Sequence, residues 1–242
     1  MLNNRHVIIN GVRYHKTVGG NLPGVTTVLG ETKSRFSKMA IQKWKNKVGH
    51  DTADAIFKNS IKRGDQFHAT IEAFLKDTPP NKVCPQVIQL WKLVRPFVEQ
   101  AKASKDLWIE SHIHHPEGFA GTPDLVCYID GKLTVVDWKN SRKPKTRSSV
   151  GDYLKQVAAY SKGFEYINGL EVEQGIVVCA VVPDQYISVT NPELGNIEPE
   201  LQLFKMKPKS IETHWKGFKK RLRQFEDLQA NPWFTEEVDT AF

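Results

Sequence analysis

Two aspartates and a lysine flank a turn signal near the middle of the chain. Asp124 precedes one apolar run, Asp137 and Lys139 follow the next, and Asp130-Gly131 lies between the two runs. An Asp-Gly pair between apolar runs predicts a tight β-hairpin, in which positions 124 and 137 lie about opposite each other. Residues two apart on a strand share a face. The spacing therefore predicts two carboxylates and one ammonium at a single place.

These three groups suggest metal-assisted phosphate chemistry. Two carboxylates that face each other repel unless a cation lies between them. Mg²⁺ needs few carboxylates and keeps several waters, and a nearby lysine can hold the attacking water or stabilise developing charge. The alternative is a turn-capping Asp124 and a surface ion pair between Asp137 and Lys139, worth under about 1 kcal/mol. The apolar Val135-Val136 directly before the second pair favours the metal site.

The periodicity predicts the elements that must position these groups. Asn10-Gly11 predicts a hairpin between two short strands, and apolar residues at helical spacing or in short runs predict the rest. One helix, over residues 51–76, has Ile56, Ile61, Phe67, Ile71 and Leu75 as its apolar anchors. The other predicted helices cover residues 37–47, 85–103, 150–166 and 210–228, and the predicted strands cover residues 6–9, 12–15, 107–114, 118–128, 133–136, 175–182 and 201–206.

This order predicts an α/β fold with a central mixed β-sheet flanked by helices, plus an N-terminal helical portion. We expect residues 1–105 to form the N-terminal hairpin and helical portion, and residues 106–242 to form the core with a C-terminal basic helix. A chain of 242 residues favours one compact domain.

The composition excludes several classes of protein. With 40% hydrophobic and 25% charged residues, the chain is too apolar for wholesale disorder. No apolar run reaches the roughly 18–20 residues of a membrane helix, and residues 1–14 lack a signal core. We therefore expect a protein of the cytoplasm of a bacterial or phage-infected cell, neither secreted nor bound to membranes. Cys84, Cys127 and Cys179 form no CxxC pair, so neither a cysteine-ligated zinc site nor a disulfide framework is expected.

The charge favours a polyanionic partner. The net charge is +7 and the isoelectric point is about 9.2, and basic surfaces bind phosphates with release of counterions. The alternative is a merely soluble basic surface.

Four motifs resemble the PD-(D/E)XK nuclease superfamily. Pro123-Asp124 followed by Asp137-Trp138-Lys139 matches its signature. The segment from Arg63 to His68, with Glu72 one turn later, resembles the first RecB-type motif, and Gln156 to Tyr160 resembles the QxxxY motif that follows the catalytic lysine. Residues 23–29, 115–124 and 136–145 resemble the mitochondrial genome maintenance exonuclease branch, and the resemblance spans about residues 23–166.

The resemblance implies a restriction-endonuclease-like core with one or two metal ions, Mg²⁺ or Mn²⁺. In this reading Asp124, Asp137 and His68 are catalytic metal ligands, the backbone carbonyl of Trp138 is a further ligand, and Lys139 positions or activates the water. The iron–sulfur members of the superfamily use four cysteines, and this chain has three, so an iron–sulfur cluster is excluded.

Several residues keep two interpretations. His68 alone on a helix would more often be an ordinary histidine. Glu72 shares its face and is an outer ligand or a solvated carboxylate. Glu110, His112 and His114 alternate along a predicted strand and therefore share a face. They form a second metal shell or, in the favoured interpretation, a polar face toward water. Glu110 is the residue of the three for which a role at the metal is most favoured.

The predicted substrate-binding residues are Gln156 and Tyr160 on one helical face and a basic loop after the catalytic strand. Tyr160 at helical spacing could instead be core. The basic helix over residues 210–228 is a second DNA-binding wall or a solvated face. The remaining predicted substrate-binding residues are Ser141, Arg63, Arg142, Lys143 and Lys145.

The sequence thus predicts a metal-dependent DNA exonuclease. The resemblance adds a preference for single-stranded DNA ends and a place in DNA replication, recombination or repair, beside another replication or recombination protein. A structure-specific endonuclease for flaps or junctions is one alternative. A non-catalytic DNA-binding factor on the same fold is the other.

Overall fold

The computed structural model describes residues 6–79, 82–183 and 198–230. Within these ranges, three strands and four helices are followed by five strands, a helix, two strands and a final helix. The elements are β1 (His6–Ile9), β2 (Val12–Thr17), β3 (Gly20–Pro23), α1 (Val25–Glu31), α2 (Arg35–Val48), α3 (His50–Leu75), α4 (Pro85–Lys102), β4 (Leu107–Ile109), β5 (Ile113–His115), β6 (Phe119–Gly121), β7 (Leu125–Ile129), β8 (Lys132–Ser141), α5 (Gly151–Asn168), β9 (Gln174–Val181), β10 (Glu200–Met206) and α6 (Pro208–Ala230).

A five-stranded sheet in the order β10-β9-β8-β7-β4 forms the centre of the fold. β7 and β8 are an antiparallel hairpin, and its turn residues Asp130 and Gly131 have φ values of 52° and 74°. Positive φ at both central positions is what a type I′ turn requires. β8 pairs in parallel with β9, and α5 makes the crossover that this pairing needs. The predicted mixed sheet is therefore confirmed.

Helices cover both faces of this sheet. On one face, Phe67 of α3 and Val94 of α4 belong to a core with Val136 and Trp138 of β8. On the other face, Val135 of β8 packs in a core with α1, α5 and α6. Because side chains alternate along a strand, Asp137 and Lys139 point to the side of α1 and α5. The α/β fold class is confirmed, and the boundary at residue 105 stays a prediction.

The structure corrects the prediction of one strand over residues 107–114. The segment forms two short strands, β4 and β5, because Glu110 between them has a φ of 50° and turns the chain. β4 joins the central sheet, whereas β5 pairs with β6 in a separate sheet. Glu110, His112 and His114 therefore do not share one strand face.

Two smaller predictions about helices also change. Residues 25–29, which the sequence left unassigned, begin helix α1, and Val25 and Val28 are buried there. Ile61, a predicted anchor of α3, is 63% exposed, so it does not belong to the buried face of that helix, which includes Phe67, Ile71 and Leu75. In the described part of the chain, no helix is long and apolar enough to cross a membrane.

Candidate active site

The β7–β8 hairpin brings both aspartates and the lysine together. Leu125 pairs with Val136, so the next position outward places Asp124 opposite Asp137. Asp137 is 1% exposed, and its Oδ2 lies 2.7 Å from the Nζ of Lys139. The spacing predicted this convergence, and the structure shows it. The catalytic roles of the three residues stay predictions.

Asp124 is held by a strand and by a helix. Its Oδ2 accepts a hydrogen bond from the backbone N–H of Trp138 at 2.8 Å, and its Oδ1 lies 3.2 Å from Nδ1 of His68. His68 comes from α3, whose neighbouring residue Phe67 is fully buried. Packing of Phe67 therefore fixes the turn of helix that presents His68 to the sheet. The Trp138 side chain is buried on the opposite face against Phe97, and the role of its carbonyl stays a prediction.

The two carboxylates differ in their electrostatics. Burial raises the pKa of Asp137 to about 6, and the charge of Asp124 adds to this rise although Lys139 opposes it. Burial acts in the same direction on Asp124, but His68, Lys139 and the Trp138 N–H outweigh it and lower the pKa of Asp124 below its ordinary value. Neighbouring carboxylates whose pKa values are pushed apart are typical of catalytic pairs.

Lys139 is held as an ammonium. Burial would lower its pKa, but Asp137 and Asp124 outweigh burial and raise the pKa of Lys139. Its Nζ also lies 5.2 Å from the centre of the Tyr153 ring, a cation–π contact. Sequence reasoning missed Tyr153. The available signal was its position three residues before Gln156, on the helix face that carries the QxxxY motif.

Gln156 and Tyr160 form one wall of the same pocket. The Gln156 Nε2 donates a hydrogen bond to the Tyr160 hydroxyl at 3.1 Å, and both side chains are buried. Tyr160 packs against the backbone of Gly121, where an added Cβ would lie 2.6 Å from its ring. Only glycine fits at that position without displacing the tyrosine.

A pocket of about 630 Å³ opens above Lys139 and Asp124. Asp65, Glu72 and Glu110 also line it, together with the cation Arg13. Burial raises the pKa of Glu110 to about 7, and Asp124 and Glu72 add to the rise. Glu110 reaches the pocket through its turn, in which its N–H donates to the Asp124 carbonyl at 3.2 Å.

The donor set fits a hard divalent cation. Oδ1 of Asp137 is buried and accepts no hydrogen bond from the described residues, and Asp124 lies opposite it. Such an orphaned carboxylate oxygen is costly unless it has a partner. Among the described residues no three His, Cys, Asp or Glu side chains enclose an ion by themselves. A cation that keeps several of its waters, such as Mg²⁺, matches this sparse set of ligands.

Five of the predicted substrate-binding residues lie outside the pocket. The Ser141 hydroxyl donates to the Lys143 carbonyl at 2.6 Å and so closes a turn. The Lys145 N–H donates to the Gln202 side chain at 2.7 Å, and Arg63 Nε donates to Asn140 at 3.0 Å. The described residues that line the pocket do not include Arg63, Ser141, Arg142, Lys143 or Lys145. A role of these five residues in substrate binding stays a prediction, and their contacts with a substrate would lie outside the pocket.

Comparison with known proteins supports the family resemblance. No family model matches the chain. The chain is 28% identical over 173 residues to mitochondrial genome maintenance exonuclease 1 of Homo sapiens, covering 66% of this chain and 49% of that protein. It is 27% identical over 172 residues to the Mus musculus protein of the same name, covering 66% of this chain and 50% of that protein. The chain therefore spans about half the length of these relatives. The predicted resemblance to the mitochondrial genome maintenance exonuclease branch is confirmed.

Solved structures show a weaker likeness. An inferred exonuclease from Eubacterium rectale gives a TM-score of 0.48 at 12% identity, with 71% of this chain and 68% of that chain covered. A phage related exonuclease from Haemophilus somnus gives a TM-score of 0.27 at 13% identity, with 67% of this chain and 82% of that chain covered. The fold class follows from the order and pairing of the strands in the central sheet.

Proposed function

We propose that this chain is a Mg²⁺- or Mn²⁺-dependent nuclease that hydrolyses phosphodiester bonds of DNA from strand ends. One observation carries the proposal: a buried carboxylate, Asp137, has an unpartnered oxygen beside the ammonium of Lys139 and opposite Asp124. The names of the curated relatives support the exonuclease activity.

Asp124 and Asp137 would hold the cation, with His68 and Glu110 as the further donors nearest to them. When bound, the cation supplies Lewis acidity, which activates water and neutralises charge on phosphate oxygens. Lys139 donates its N–H bonds to the attacking water or to a phosphate oxygen as negative charge develops there. The Tyr153 ring and the Asp137 carboxylate restrict the Lys139 ammonium from two sides, so its donors are in place before the substrate arrives.

The charges argue against a DNA-binding factor without catalysis. Four carboxylates (Asp65, Glu72, Glu110 and Asp124) line the pocket against two cations, Arg13 and Lys139, and carboxylates repel the phosphates of a strand. An unsatisfied buried polar group costs about 1–3 kcal/mol, and a charged one costs more. A protein that only binds DNA has no use for such a carboxylate, whereas a metal-dependent enzyme uses it to hold its cation.

The preference for single-stranded ends and the place in replication, recombination or repair are further parts of the proposal. They come from the family resemblance. A linear single strand should be degraded faster than a duplex, and a covalently closed single-stranded circle should remain intact. Cleavage of the circle would instead favour the endonuclease alternative.

The test is an assay of end-labelled single- and double-stranded DNA with Mg²⁺, Mn²⁺ or EDTA. We expect cleavage with either metal and none with EDTA. Lys139→Ala should lose the activity, whereas Lys132→Ala, an exposed lysine on the same strand, should keep it. Activity in EDTA, or equal activity of the two variants, would contradict the proposal.

A further inference from the structure

The exposed side of α6 carries a row of cations that the proposed catalytic pocket does not use. At 100° per residue, Lys209, Lys216, Lys220 and Arg223 fall within an arc of about 60° around the helix. The row runs about 21 Å along the helix axis. The buried residues of α6 lie on the opposite side, toward the rest of the fold. We call these four cations the basic stripe.

Few acidic residues accompany the basic stripe along its length. No acidic residue falls within the arc between its first and last members, and the next one along it is Asp227. Glu212 lies just beside the arc, and its carboxylate is 4.0 Å from Lys162, which is not a member of the stripe. Lys216 and Lys220 are one turn apart, where like charges destabilise a helix.

Cations beside the stripe are paired, whereas those of the stripe are not. Lys219 lies 3.4 Å from a carboxylate oxygen of Glu117, and Arg221 lies 3.2 Å from Asp152. Within the part of the chain that the structure describes, no carboxylate forms an ion pair with a member of the basic stripe. The repulsion along the stripe is therefore left for a ligand to relieve.

The positive surface continues past the beginning of α6. Arg147, Lys205, Lys207 and Lys209 line a depression of about 490 Å³ there. Nη1 of Arg147 donates to the carbonyl of Lys205 at 3.2 Å, which fixes the arginine at this place. The cationic surface is thus longer than the helix face alone.

We propose that the basic stripe binds the phosphate backbone of a DNA strand outside the catalytic pocket, without regard to base sequence. The inference depends on the proposed function because it takes the substrate strand as the ligand. A row of cations matches a nucleic-acid strand, which carries one negative charge per nucleotide. A membrane surface fits less well, since the apolar side of α6 is buried in the fold and an interfacial helix must insert that side into lipid.

The test is equilibrium binding of a fluorescent single-stranded 30-mer at several salt concentrations. Binding is measured in a Lys139→Ala background, which removes cleavage. The stripe variant combines Lys216→Gln, Lys220→Gln and Arg223→Gln. The control combines Lys92→Gln, Lys105→Gln and Lys132→Gln, which removes the same charge from other exposed positions.

We expect the stripe variant to bind about tenfold or more weakly near 0.1 M salt. The slope of log K against log salt should become shallower by about 2, since each phosphate contact on a single strand contributes roughly 0.7. The control should change both quantities much less. Thermal melting of both variants checks that each is folded.

The other outcomes separate this inference from the proposed function. Equal behaviour of stripe and control variants would overturn the stripe while leaving the nuclease proposal intact. Stripe-dependent binding by a chain that cleaves no DNA would support the stripe and contradict the nuclease. No binding at all would contradict both. If the stripe substitutions weaken binding to phosphatidylserine vesicles as much as to DNA, the assignment to nucleic acid is wrong.

Discussion

The floor and the rim of the candidate pocket are built in different ways. The floor consists of Asp124, Asp137 and Lys139 on two paired strands, all tightly held by hydrogen bonds or ion pairs. The rim includes Glu72 on α3 and Glu110 in a turn, both acidic and closer to water. The floor has the geometry for chemistry, whereas the rim sets the charge around it. Substitutions in the floor should therefore abolish activity, and substitutions in the rim should tune stability and affinity.

The largest effect is expected from the floor. Asp137→Asn keeps the shape of the side chain but removes the charge that faces Lys139, so DNA cleavage with Mg²⁺ should fall by about 10³-fold or more. Asp106→Asn, an exposed aspartate, is the matched control and should leave the rate within about twofold. Cleavage rates on a labelled single strand measure both. A loss below tenfold in Asp137→Asn would remove the distinction between floor and rim.

His68 connects the helix to the floor and should have the next largest effect. His68→Gln removes the imidazole that lies 3.2 Å from Asp124 and that keeps the pKa of this carboxyl low. Mutation of a group that orients a metal ligand typically costs about 10–100-fold in metal affinity or activity. A titration of cleavage rate against Mn²⁺ should show the loss mainly as a higher metal requirement. An unchanged metal requirement would place His68 outside the metal site.

Tyr153 tests whether the lysine of the floor needs its aromatic support. Tyr153→Phe keeps the ring beside Lys139, whereas Tyr153→Leu removes the cation–π contact, worth about 0.5–2 kcal/mol. We expect the phenylalanine variant to cleave at nearly the original rate and the leucine variant about 3- to 10-fold more slowly, in kcat rather than KM. Equal losses in the two variants would point to the Tyr153 hydroxyl instead of the ring.

Glu110 of the rim should make the stability of the fold depend on pH. The pKa of Glu110 is raised to about 7 in the folded chain, from an ordinary 4.5. The folded state then holds the proton more tightly, so stability is lost as pH rises from about 4.5 to 7. Across this pH range, the free energy of unfolding of Glu110→Gln should rise relative to that of the original chain, by about 1–2 kcal/mol after allowance for solvent screening. Urea unfolding at pH 4.5 and 7.5 in EDTA measures this, and a constant difference would contradict it.

The floor was predictable from the sequence because its geometry is local. The Asp130-Gly131 turn fixes the register of β7 and β8, and the period of two along a strand fixes which side chains share a face. The motif positions of His68, Gln156 and Tyr160 added residues distant in the chain. His68, Gln156 and Tyr160 line one pocket with Asp124 and Lys139.

The rim was less predictable because its geometry depends on distant contacts. Positive φ at a glutamate is rare, and nothing in residues 107–114 signals that Glu110 turns the chain beneath Asp124. The path of Ser141, Arg142 and Lys143 away from the pocket is set by the turn that the Ser141 hydroxyl closes. Helix α1 was missed because seven residues with two threonines give little periodicity.

A crystal soaked in Mn²⁺ would show whether Asp124 and Asp137 bind a metal ion together. We expect an anomalous peak within bonding distance of carboxylate oxygens of both residues, and loss of that peak in Asp137→Asn. A peak elsewhere in the pocket, or no peak at a Mn²⁺ concentration that supports cleavage, would contradict it.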